Sequence, residues 1–158
     1  MSAVQKLFAA LAVAMAFVLA VPAAPAMAAA SDDPPKREGD YDKAVKAVKS
    51  EKYKDAIKLL EKVVQKDPRK ADAWNYLGYS QRKTGQYEPA LKSYTRALEI
   101  DPKHKGAHEY LGELYLMTDN LPKAEEHLKT LSGLCGGCSE RKDLEKAVTA
   151  YKKSKGIS

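Results

Sequence analysis

The sequence is poor in the residues from which catalytic centres are usually assembled. Among 158 residues there are two Cys, three His, one Trp and two Phe, against nine Tyr. Two Cys allow at most one internal disulfide. The three His have no Ser or Cys partner at a defined spacing. The one Gly pair lies in Cys135-Gly136-Gly137-Cys138 and lacks the basic residue and the strand–loop–helix setting of a phosphate loop. Haem attachment by a C-x-x-C-H motif fails there too, because Ser139 follows Cys138. Carboxylates are plentiful but fall in solvated helix patterns. No catalytic residue, cofactor or metal is expected. The formal charge of +6 does not by itself separate nucleic-acid, membrane and solubility roles.

Charge is also scarce at the N-terminus, where Lys6 is the only charged residue before Asp32. Leu7 to Val21 is a run of 15 apolar residues, closed by Pro22 and Pro25. A spanning helix wants about 20 apolar residues. The run followed by Ala26-Met27-Ala28 reads instead as a secretory leader, residues 1–28, cleaved near Ala28. Neither a lipid-accepting Cys nor a twin Arg accompanies it, so ordinary Sec-type export is expected. The Ala-rich leader looks bacterial. The mature chain is thus expected in the periplasm or outside the cell, with no transmembrane segment and no nucleic-acid partner. Residues 29–36, with Pro34-Pro35, read as a flexible linker.

What the rest of the chain has is a period. Asp67-Pro68 recurs as Asp101-Pro102, 34 residues on. The same spacing joins Ala56, Ala90 and Ala124; Ala44, Gly78 and Gly112; Tyr53, Tyr87 and Leu121; Leu60, Tyr94 and Leu128; and Val63, Ala97 and Leu131. Fixed self-similarity of this length marks a repeat architecture. The windows are 37–70, 71–104 and 105–138. In the middle window Trp74, Leu77, Gly78 and Gln81 mark one helix. Tyr87, Ala90, Leu91, Tyr94, Ala97 and Leu98 mark the next, with Gly85 between them. Asp101-Pro102 ends the second helix, because Pro lacks a donor and disfavours helix in the residue before it. Small residues such as Gly78 and Ala90 stand where paired helices approach closely.

These residues resemble the tetratricopeptide repeat: Trp74, Leu77-Gly78, Gly85-Gln86-Tyr87, Ala90, Tyr94, Ala97 and Asp101-Pro102. Residues 105–131 match through Leu111-Gly112, Tyr115, Ala124, Leu128 and Leu131, and 37–70 match mainly in the second helix. The resemblance implies an all-α fold, a right-handed superhelix of three helix pairs whose concave face holds a protein or peptide. The first helix departs from the pattern. Its apolar set is Tyr41, Ala44, Val45 and Val48, as in a looser N-terminal cap. In 139–158, Leu144, Ala147, Val148 and Tyr151 lie two residues beyond the strict period. That predicts a loop about two residues longer before a C-terminal capping helix with a basic tail.

By the same resemblance the first helix of each pair lines the groove. Candidate groove residues are Tyr41 and Val45; Asn75, Tyr79, Arg82 and Lys83; and Glu109, Glu113 and Leu116. Some family members grip a terminal carboxylate with Lys and Asn. Here Tyr41, Val45, Glu109 and Glu113 stand at those places and argue against such a clamp. Mixed charge beside Tyr79 points to an extended segment with charged and apolar anchors, although Tyr79 and Leu116 also suit plain packing. Replacing Tyr79 with Ala and Arg82 with Glu is expected to abolish capture without unfolding. Charge along the windows runs +4, +1, −2 and +3, which permits self-association of copies head to tail. The Cys135–Cys138 pair fits three readings: a disulfide stiffening the last junction, a thiol-redox site, or half a metal site. His127, eight residues upstream, offers the last a further ligand. A redox or metal-handling role is the alternative to a peptide-binding adaptor or scaffold of the cell envelope.

Overall fold

A computed structural model describes residues 39–157 of the chain. The expected leader (1–28) and linker (29–36) lie outside the described residues. Among those residues there are seven helices and no strand: α1 Asp40–Lys49, α2 Tyr53–Lys66, α3 Ala71–Lys83, α4 Tyr87–Ile100, α5 Lys105–Met117, α6 Leu121–Cys135 and α7 Ser139–Lys155.

The period is visible in the hydrogen bonds as well as in the sequence. Trp74 Nε1 donates to the carbonyl of Pro68 at 3.0 Å, and His108 Nε2 makes the same bond to Pro102, 34 residues later, at 2.9 Å. Asp67 and Asp101 each accept from the backbone N–H two residues on. Thr84 and Thr118 each bond back to carbonyls of the preceding helical turn, satisfying acceptors that a helix end leaves open. His104 caps α5 by accepting from Ala107 N–H, and Asn120 caps α6 by accepting from Lys123 N–H.

The turn inside each helix pair needs one residue with positive φ. Gly85 fills it in the second pair at 78°, but Glu51 and Asp119 fill it in the others, both at 57°. A side chain in this region costs roughly 1–2 kcal/mol. Glu51 is exposed and its side chain has no hydrogen-bond or ion-pair partner among the described residues. Glu51→Gly is therefore expected to raise stability by about 1 kcal/mol in urea denaturation. Asp119→Gly should give no such gain. Asp119 Oδ1 accepts from the Tyr151 hydroxyl at 2.9 Å and pairs with Lys155 at 2.7 Å, tying the α5–α6 turn to α7.

Apolar burial forms three linked clusters. The first, from α1, α2 and α3, centres on Ala44, Ala56 and Leu60; the second, from α4 and α5, on Ala90, Tyr94, Leu111 and Leu114. The third holds Leu116, Ala124, Leu131, Leu144 and Val148 and joins α5, α6 and α7. Odd-numbered helices touch in succession, α1 with α3, α3 with α5 and α5 with α7, whereas even-numbered helices do not touch one another. The odd helices thus form the inner face of the stack.

The last helix corrects the sequence reading. Ser139 stands 34 residues after Lys105, which itself stands 34 after Ala71, so α7 starts in strict register and its loop is not lengthened. What changes is the face it uses. In the middle pair the ring of Tyr94 fills the space over Gly78. The equivalent residue on α6 is Leu128, a smaller side chain, and the space over Gly112 is filled by Leu144 of α7 instead. Among the described residues, α7 buries only the side facing α5 and α6, through Leu144 and Val148.

Candidate functional site

A row of tyrosines runs beside the inner face, with Tyr79 and Tyr110 on α3 and α5, Tyr53 on α2 and the buried Tyr94 on α4. Tyr53 and Tyr79 are 6.0 Å apart by ring centroid, Tyr79 and Tyr110 are 4.9 Å apart, and Tyr110 and Tyr94 are 6.3 Å apart. The row follows from spacing. Tyr76 and Tyr110 are one period apart, and Tyr79 lies one helical turn beyond Tyr76 on the same side of α3. Burial pushes the Tyr110 phenol up to about 12, so it remains a hydrogen-bond donor at neutral pH.

Two clefts flank this row and share Tyr79 and Tyr110. One, of about 580 Å³, runs between α3, α5 and α7. Its walls include Tyr79, Arg82, Lys83, Glu109, Tyr110 and Glu113, with Asp143 and Lys146 from α7. The other, of about 250 Å³, is lined by Val48, Tyr53 and Tyr76 as well as the shared pair. They adjoin at this shared pair, and the larger is of the size that ligand sites occupy.

Five expected residues, Tyr79, Arg82, Lys83, Glu109 and Glu113, come together in the larger cleft. The other four do not line that cleft. Asn75 is buried, its amide nitrogen close to Gly106 and its Oδ1 without a partner among the described residues. Leu116 belongs to the α5–α7 core and also lines, with Met117, a cleft of about 410 Å³ that shares Arg82 and Glu113 with the larger one. Tyr41 packs against Tyr76 under the ammonium of Lys70, and Val45 is half-buried; neither lines the two clefts. Tyr110, Asp143 and Lys146 escaped the sequence reading. Tyr110 was legible as the periodic partner of Tyr76. The α7 residues were not, because that helix reads as a cap and not as a wall.

Arg82 is as much a strut as a wall. Its side chain is 10% exposed, with Nη2 2.7 Å from Glu113 Oε2 and Nε 3.4 Å from the Tyr94 hydroxyl. It also lies over the rings of Tyr79 and Tyr110, where the guanidinium gains from the π faces. Arg82→Glu would set a second carboxylate against Glu113 inside the fold. The expectation that this change spares folding does not survive that geometry. Lys83, exposed and directed over Tyr53 and Tyr79, is a cation of the groove that can be changed without loss of a buried pair.

Glu109 is the electrostatic anomaly of the site. It is 8% exposed and its carboxyl has no hydrogen-bond or ion-pair partner among the described residues. Burial, reinforced by Glu113, Asp143 and Glu140 and opposed by Arg82, pushes its pKa up to about 8.

The histidines are spoken for by packing. His104 accepts from Ala107 N–H through Nδ1, so Nε2 carries the proton and faces Asp72 at 3.2 Å. His108 donates Nε2–H to the Pro102 carbonyl, which leaves its Nδ1 to accept from His127 Nδ1–H at 2.9 Å. Burial and the nearby His108 hold His127 down to about 4. Among the described residues no group of three or more His, Cys, Asp or Glu is placed to hold a metal. Cys135 and Cys138 are joined in a disulfide at the α6–α7 junction, where Cys135 packs on the core and neither residue lines the clefts. No helix among the described residues is long and apolar enough to cross a membrane.

Comparison with known proteins gives the same architecture. Tetratricopeptide-repeat family models match residues 71–104 and 93–126. No curated protein matches the sequence. The fold is similar to that of SycD, a type III secretion translocator chaperone of Yersinia enterocolitica. The TM-score is 0.67 at 24% identity, over 75% of this chain and 84% of that one. SycD in complex with a peptide of the translocator YopD matches at 26% identity and TM-score 0.63, over 73% of this chain and 88% of that one. PcrH in complex with the chaperone-binding region of PopD matches at 21% identity and TM-score 0.65, over 73% and 90%.

Proposed function

We propose that this chain, which carries tetratricopeptide repeats, is a non-enzymatic binding module that holds an extended protein segment in the groove between α1, α3, α5 and α7. The observation that carries the reading is the pair of adjoining clefts joined through Tyr79 and Tyr110, with charged walls on either side. Aromatic and Arg side chains are the usual anchors of such interfaces. That structurally similar chains are seen with a peptide or binding region of a translocator bound supports the same reading. With the export leader expected from the sequence, the module is an adaptor or assembly factor of the bacterial envelope.

The test is capture from the native envelope. The purified protein should retain a protein partner, and Tyr79→Ala with Lys83→Glu should abolish retention while leaving the helical circular dichroism unchanged. The Cys135→Ser, Cys138→Ser pair should leave capture intact, because both lie off the groove. Retention by the groove variant would show that the partner sits elsewhere. Loss of capture in the Cys variant would point instead to the thiol chemistry of the alternative reading.

A further inference from the structure

Glu109 is more than nine-tenths enclosed as a residue, its carboxyl has no partner among the described residues, and it opens into the cleft, so it is an unfinished interaction. A carboxyl largely withdrawn from water without a partner is unfavourable, the more so when it is charged. The other charged groups facing Glu109 are accounted for. On α5, Glu113 is engaged with Arg82 of α3 at 2.7 Å. On α3, Lys83 lies over the rings of Tyr53 and Tyr79. On α7, Asp143 and Lys146 are exposed at the mouth, and Glu140 lies farther up the helix. No described cation closes on Glu109 itself.

We propose that the Glu109 wall receives one cationic side chain, the ammonium of a lysine or the guanidinium of an arginine, from the segment held in the groove. The proposal rests on the groove reading and narrows it. An arriving cation meets Glu109 at the floor and Asp143 at the rim, beside the rings of Tyr79 and Tyr110, which Arg82 and Lys83 already engage. An anion would meet the same two carboxylates and Glu113. It would be offered Lys83 and Lys146, both exposed and solvated, and Arg82, which is already engaged with Glu113. A neutral apolar side chain would leave the enclosed carboxyl as unsatisfied as before.

The arrangement also sets a direction with pH. In the free protein the Glu109 carboxyl is held up to about 8 and is mostly protonated at neutral pH. A cation favours the carboxylate, so binding at neutral pH releases a proton. By linkage the affinity then rises with pH up to about 8 and levels off above it, a gain of about tenfold between pH 6.5 and 8.

The test uses the full chain and capped pentapeptides Ac-Ala-Ala-X-Ala-Ala-NH2 with X lysine, arginine, norleucine or glutamate. Amide shifts of the protein are followed by NMR at pH 6.5 and 8. The lysine and arginine peptides should shift residues around Glu109, Glu113 and Asp143, and bind at least fivefold tighter than norleucine at pH 8. Their affinity should show the rise with pH, and Glu109→Gln should remove both the preference and the rise. Equal binding of the norleucine peptide in the same cleft would overturn the cation receptor and leave the groove reading standing. Lysine preference that persists in Glu109→Gln would assign it to Asp143 or Glu113 and likewise overturn the proposal. If no peptide shifts any residue of the cleft, the cation receptor fails, and envelope capture by the intact groove then decides the broader reading separately.

Discussion

Tyr94→Ala should lower the unfolding free energy by about 3–5 kcal/mol, the range for truncating an enclosed aromatic side chain. Tyr94 is fully buried, its ring lies against Gly78, and its hydroxyl meets Arg82. The partner substitution is informative. A Cβ placed at Gly78 would stand 2.8 Å from Tyr94 Cδ1 and Cε1, closer than real contacts allow, and a buried ring cannot swing away. Gly78→Ala should therefore cost about 1–3 kcal/mol in the native background by overpacking. In the Tyr94→Ala background the obstacle is gone, and the same change should cost nearly nothing. Urea denaturation of the four proteins, followed by circular dichroism, reads out the coupling. Additive losses would mean that the α3–α4 approach is set by something other than this ring. At Gly112 the obstacle is Leu144 Cδ2 at 2.6 Å, the end of a flexible side chain, so Gly112→Ala should be the milder change.

Glu109→Gln should stabilise the protein at pH 8 and leave it unchanged at pH 4.5. The folded carboxyl is raised to about 8 against an ordinary value of 4.5, so between these limits the folded state holds a proton that the unfolded state has released. Stability must then fall as pH rises through this window and become flat above it. The full excursion is on the order of 2–3 kcal/mol, less than the raised value alone implies, because the open cleft lets solvent reach the carboxyl. Gln has the same shape and no proton to lose, so the difference between variant and native protein isolates this one group. His127 acts in the opposite sense at lower pH. Its folded value of about 4 lies below the ordinary 6.5, so its contribution is lost as pH falls from 6.5 towards 4, in both proteins alike. The measurement is unfolding free energy at steps from pH 4.5 to 9. A native-minus-variant difference that does not move with pH would show that Glu109 is solvated or paired in solution.

The two results bear on one another. An enclosed acid that destabilises the free domain is a local cost that folding alone does not explain. Its relief on meeting a cation would explain it. The stability measurement reads the cost without any ligand, and the peptide titration reads the relief.

Much of this was legible along the chain. The 34-residue spacing marked the helices, because each pair must bury the same face against its neighbours and so repeats the same residue types. Asp67-Pro68 and Asp101-Pro102 marked helix ends, since proline cannot continue a helix. Tyr79, Arg82, Lys83, Glu109 and Glu113 were recognisable as one cluster because they project from first helices between packing positions.

Other features depended on distances between segments far apart in sequence. The left-handed turn position was recognisable at Gly85 but hidden at Glu51 and Asp119, where surrounding helices impose a conformation the side chain does not favour. Arg82 read as a free groove cation, yet Tyr94 and Glu113 close around it. The displaced apolar set of α7 read as a longer loop. In three dimensions the helix keeps its register and Leu144 enters the gap that Leu128, shorter than a tyrosine, leaves over Gly112. Periodicity reports which residues must be hidden, since burial is paid for residue by residue along a helix, and so the sequence alone determined the helices and the face they share. Which partner hides each residue, how deeply Glu109 is enclosed, and that α7 supplies a wall of the groove depend on side-chain volumes meeting across helices, and only the tertiary structure decided them.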